Sequence, residues 1–154
     1  MALDKGTNGK LTKLSVSSDG TTWDEICIFG DLTIDFGTET LNKEYCIGKK
    51  DPYVSTGNKE YPDVTYLTVW DEDATTAKGI GIIEAAAAAD TITGKTIHIQ
   101  IEMNNSTGAG KKGTLYVYEG VVSGYKVIAQ ESGIVKSEFT MAQTTTPVKT
   151  AAAV

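Results

Sequence analysis

The chain holds a single histidine, two cysteines and no arginine, which limits the chemistry it can do. Any Ser-His-Asp or Cys-His nucleophile would have to use His98. The alternation across Thr96–Met103 puts His98 on the outward face of a strand with Gln100 and Glu102. No nucleophile elbow and no cysteine-protease signature accompanies it, so it reads as a solvated strand histidine. Zinc needs three or four Cys and His ligands, and Cys27, Cys46 and His98 are widely separated. Asp71-Glu72-Asp73 lacks the alternating oxygens, Gly turn and distant Glu of a calcium loop. It reads better as the acidic start of a helix, with Asp73 capping free amides. Among twenty acidic residues many glycosidase-like pairs are conceivable, but no spacing singles one out. Thr107-Gly-Ala-Gly-Lys-Lys-Gly113 lacks P-loop spacing and reads as a hairpin tip. Tyr116 and Tyr118 share a strand face, either as a stacking platform for sugar or a partner, or as cover for a second layer. No catalytic, metal or cofactor-binding residue is therefore expected.

The elements that would position such groups read as β. Length 154 fits one domain with a single core. Glycine is abundant and proline scarce, and short apolar runs recur between turn signals. The alternation predicts strands over Leu11–Ser17, Trp23–Phe29, Leu32–Phe36, Val64–Trp70, Thr96–Met103, Thr114–Val122, Tyr125–Gln130 and Ile134–Met141. Asp19-Gly20 supplies the first tight turn. Ile80, Ile83 and Ala87 recur at helical spacing beside an alanine run, predicting one short helix near 75–89. The expected fold is mainly β: a β-sandwich or partly closed barrel of about eight strands, with one short flanking helix. The folded core is expected over 10–141, with flexible termini over 1–9 and 142–154.

Net charge is −6 and the sequence pI about 4.8, and without arginine a surface gripping nucleic acid is not expected. No apolar run approaches a membrane span. Met1–Lys5 lacks the apolar core of a signal peptide, so Cys27 and Cys46 read as buried thiols rather than a disulfide.

Gly37–Asp63 breaks the β pattern. It reads as a long loop without regular structure, which compact domains seldom keep without a function. Leu41, Tyr45, Ile47, Tyr53, Val54 and Tyr61 are spaced along it as candidate subunit-interface residues. Ordering such a segment from disorder costs on the order of 25–50 kcal/mol of backbone entropy. Full burial of those side chains returns only about 10–18 kcal/mol. The segment thus needs strand pairing and burial against another surface, as in β-augmentation.

Taken in order, these features resemble the major tail protein (tail tube protein) family of tailed bacteriophages. The resemblance rests on the Ser17-Ser-Asp-Gly-Thr-Thr-Trp23 hairpin with Ile26, the long insert, and the strand ending in Asp71-Glu-Asp73. The short helix, the Thr96–Met103 strand and the closing meander to Met141 complete it. It implies a structural, non-enzymatic virion protein without cofactor, whose subunits form stacked, hexameric rings. The rings make the hollow tail tube through which genomic DNA passes non-specifically, and a negative lumen would repel its phosphates. The implied partners are further copies of the chain and other tail proteins such as the tape measure and tail tip, with no membrane. The implied location is the phage tail, after synthesis in the host bacterial cytoplasm. The insert would reach neighbouring subunits, and the terminal segments adjacent rings. The extra C-terminal domain seen in some members of the family is not expected here. Two other readings stay open. Asp19-Gly20-Thr-Thr-Trp23 also resembles the hairpin of carbohydrate-binding discoidin-type sandwiches, and a decoration or tail-terminator protein would share the compact β build.

Overall fold

The computed structural model describes residues 12–71, 78–106 and 108–152. Glu72, Asp73, the first residues of the predicted helix, Thr107 and the 1–9 terminus lie outside them. The fold is mainly β, as the alternation requires. Strands β1 (Lys13–Ser17), β2 (Asp24–Ile26), β3 (Ile28–Phe29), β4 (Thr38–Glu44), β5 (Tyr53–Glu60) and β6 (Asp63–Val69) come first. Helices α1 (Ile80–Ala88) and α2 (Ile92–Lys95) follow, then β7 (Thr96–Glu102), β8 (Leu115–Ile128), β9 (Lys136–Gln143) and β10 (Val148–Thr150).

Eight strands form one antiparallel sheet in the order β2-β1-β7-β8-β9-β6-β3, with β10 attached to β8. The two end strands, β2 and β3, are consecutive pieces of one segment, separated only by Cys27. The sheet must therefore roll until its edges meet end to end, yet it does not close into a barrel. A strand that switches edges at a bend is a common way to turn such a corner.

The inward face carries Leu14 and Val16 of β1, Ile97, Ile99 and Ile101 of β7, Tyr118 and Val122 of β8, Phe139 and Met141 of β9, and Tyr66 of β6. The registers bring Val16 opposite Ile99 and Tyr66 opposite Phe139. Gly120 keeps this face tight, because a Cβ there would meet Met141 Cε at 2.8 Å. α1 adds Ile80, Ile82, Ile83 and Ala86 to the same core. It is latched by Glu84 Oε1, which accepts from Tyr125 Oη (2.7 Å) and Trp70 Nε1 (3.3 Å).

Several expectations about these elements change. Leu32–Phe36 forms no ladder; Leu32 and Ile34 pack against the core from an extended, unpaired segment, which period-two alternation cannot distinguish from a strand. The two strands expected over Thr114–Gln130 are one 14-residue strand, since Ser123-Gly124 makes a register shift against β9 and not a turn. The helix begins after Gly79, without a side-chain cap. The tail is pinned: Gln143 is buried, and Val148–Thr150 pairs with Val117–Leu115.

Candidate assembly interface

The largest departure is the long insert, which is a β-hairpin. Among the described residues β4 and β5 pair only with each other, as a separate two-stranded sheet, and every residue of both is exposed. The register aligns Thr38 with Glu60, Glu39 with Lys59, Leu41 with Thr56, Asn42 with Ser55, Lys43 with Val54 and Glu44 with Tyr53. A bulge after Glu39 separates root from shaft. Beyond it, pairing and alternation place Leu41, Lys43, Val54 and Thr56 on one face and Asn42, Glu44, Tyr53 and Ser55 on the other. Glu39 and Lys59 form a wide ion pair (3.9 Å) at the root. At the tip Lys49 N–H donates to Cys46 O (3.0 Å), with Gly48 at φ 85°, as a type II turn requires.

Sequence patterning missed the hairpin because neither strand faces a core, so apolar and polar residues have no reason to alternate cleanly. Gly57 and Asn58 at the bulge blur the period further. Of the six candidate interface residues, Leu41 and Val54 lie diagonally on one face, Tyr53 lies on the other, and Tyr45 and Ile47 stand at the tip. These five are exposed, Ile47 completely. Tyr61 is placed differently: it is half-buried at the root, and its hydroxyl shares a 2.6 Å hydrogen bond with Thr146.

That root is built from several contacts. Asp35 Oδ1 accepts from Gly37 N–H (2.7 Å), while Gln143 Nε2 donates to Asp35 O (2.8 Å) and Thr145 O (2.9 Å). Thr145 Oγ1 accepts from Glu119 N–H (2.8 Å). Phe36 meets Tyr116 edge-to-face at 6.2 Å, and Lys149 Nζ stands 6.0 Å from the same ring. The segment leading from β9 into β10 therefore clamps the base of the arm. Of the paired tyrosines, Tyr118 lies in the core and Tyr116 serves this root.

The groups weighed for chemistry take other positions. His98 is not free on its strand: Nδ1 lies 3.3 Å from Glu119 Oε1 across the ladder, and the Gly20 turn sits over the ring. Ser17 stands opposite His98 on β1, so Ser17, His98 and Glu119 form a row across three strands. The row is not wired as a nucleophile. Ser17 is fully buried, and its Oγ donates to Asp19 Oδ1 (2.8 Å) while accepting from Gly20 N–H (2.8 Å). Backbone amides of Thr22 and Thr21, then the Ser17 hydroxyl, hold the Asp19 carboxyl well below its usual 3.8. Both cysteines are free and exposed, contrary to the buried thiols expected: Cys27 occupies the break between β2 and β3, and Cys46 the arm tip. Among the described residues no three Cys, His, Asp or Glu side chains gather as a metal site. No described helix is long and apolar enough to cross a membrane.

No protein-family model and no curated protein matches the chain. Among solved structures it is similar to a chain of "Cryo-EM structure of the anti-feeding prophage (AFP) baseplate, 6-fold symmetrised", with TM-score 0.60 and 7% identity. The match covers 98% of each chain. At that identity the likeness is one of fold, and it extends over essentially the whole chain.

Proposed function

We propose that this chain is a structural protein of a phage or phage-like particle, and that its copies assemble into rings stacked as a hollow tube. One observation carries the reading: a fully exposed hairpin with large apolar side chains, projecting from a firmly built root. A two-stranded sheet alone is at best marginal in water, and exposed apolar residues on it gain only when another surface covers them. The fold likeness supports the setting, since the similar chain belongs to a prophage baseplate with six-fold symmetry. Six copies per ring is the symmetry proposed here, with other particle proteins as further partners. The role needs no catalytic group and no cofactor. A net charge of −6 on each subunit suits a tube along which DNA slides without being held.

The test is sedimentation of concentrated protein beside a Leu41→Asp/Val54→Asp variant. The account predicts large assemblies for the natural chain and monomers, with unchanged circular dichroism, for the variant. Equal assembly by both would remove the arm from the interface. A monomeric natural chain that binds sugars on a glycan array would favour the carbohydrate-binding reading.

A further inference from the structure

We infer that the arm of one copy adds as a strand to the open edge of β10 in a second copy. The inference rests on the assembly reading above and names the surface the arm meets. β10 pairs with β8 on one side, and no described strand covers its other side. Val148, Lys149 and Thr150 are all exposed. An uncovered edge presents unpaired N–H and C=O groups to any extended strand of suitable length. The arm is such a strand in want of a neighbour, since no described strand pairs with the outer edge of β4 or of β5.

The root argues for a second copy as occupant. Tyr61, at the exit of β5, is bonded to Thr146, just before β10. Phe36, at the entry to β4, meets Tyr116 edge-to-face, and Tyr116 lies opposite Lys149 in the ladder. The strand-donating arm and the strand-accepting edge of one molecule thus share a base, yet they do not pair with each other. Each copy therefore carries both halves of a head-to-tail contact. Such a contact is heterologous: the copy that receives on β10 still offers its own arm onward, so rings or filaments follow and not closed dimers. Lys149 does not obstruct the edge, because its ammonium is drawn over the Tyr116 ring on the sheet face.

Hydrogen–deuterium exchange of the natural full-length chain, dilute and assembled, tests this. Assembly is expected to slow exchange by about tenfold or more both in β4–β5 and in Val148–Thr150. Protection of the arm without protection of Val148–Thr150 would overturn this inference and leave the assembly reading standing. Protection of Val148–Thr150 without the arm would mean another occupant, and would overturn it too. Absence of any assembly would remove both. A Thr150→Cys chain mixed with an Asn42→Cys chain, each in a Cys27→Ser/Cys46→Ser background, gives a second readout. Oxidised heterodimers between the two are expected, and cross-links no more frequent than with a cysteine placed at Lys126 would contradict the pairing.

Discussion

At Gly37 the backbone takes φ 84°, and a Cβ there would lie 2.8 Å from the Tyr61 ring. Only glycine meets both demands, the left-handed turn and the close approach of the ring. Gly37→Ala is expected to destabilise the protein by about 1–3 kcal/mol in urea unfolding, through strain and displacement of Tyr61. Tyr61→Phe, which keeps the ring but loses the bond to Thr146, should cost about 0.5–1.5 kcal/mol. A larger effect of Tyr61→Phe than of Gly37→Ala would contradict this order. Asp19 makes a different kind of test. Its carboxylate accepts from Thr21 and Thr22 amides, so its folded value lies below its unfolded one. Whatever it contributes is present above the ordinary aspartate range and is lost as pH falls through the folded value. In an NMR titration Asp19 should remain ionised as pH falls below the ordinary aspartate range.

At the scale of elements, residues facing the core were legible in sequence and residues facing solvent were not. Ile97, Ile99 and Ile101 announced β7 because one face of that strand is sealed. Phe139 and Met141 did the same for β9, and Ile80 and Ile83 for α1. The arm and β10 could not announce themselves, since both lie outside the core and obey no burial period. The candidate site was legible as a place, through the apolar residues of Gly37–Asp63, but not as a hairpin. Tyr61's role in the root depends on Thr146, which is distant in sequence. The exposure of the arm leads to a clear expectation. Deleting Leu41–Glu60 removes no buried residue, so the core should keep its circular dichroism and lose less than about 1 kcal/mol of stability. The same deletion should abolish polymerisation. Unfolding of the deletion chain would show that the arm supports the core.

The whole molecule combines a rolled sheet, one core and an acidic exterior. Three tyrosines link that core to pH. Burial, first among the causes, pushes the Tyr66, Tyr118 and Tyr125 hydroxyls up, and the bond to Glu84 adds to the shift of Tyr125. A folded value above the unfolded one, about 10, means their contribution is complete below that pH and is lost as pH rises above it. Urea midpoints should therefore fall above about pH 10, and Tyr118→Phe should flatten that fall. A profile unchanged by Tyr118→Phe would remove Tyr118 as a source of it. Like-charged subunits also repel, so assembly driven by strand pairing and apolar burial should strengthen on going from low to physiological salt, as read by light scattering. Weakening instead would mean that charge pairs hold the copies together. The central claim is that copies of this chain build a tube through their arms, and electron microscopy of the concentrated natural protein beside the Leu41–Glu60 deletion tests it most directly. Rings or tubes of uniform diameter from the natural chain, and none from the deletion, are the predicted result; single particles from the natural chain at every concentration would contradict it.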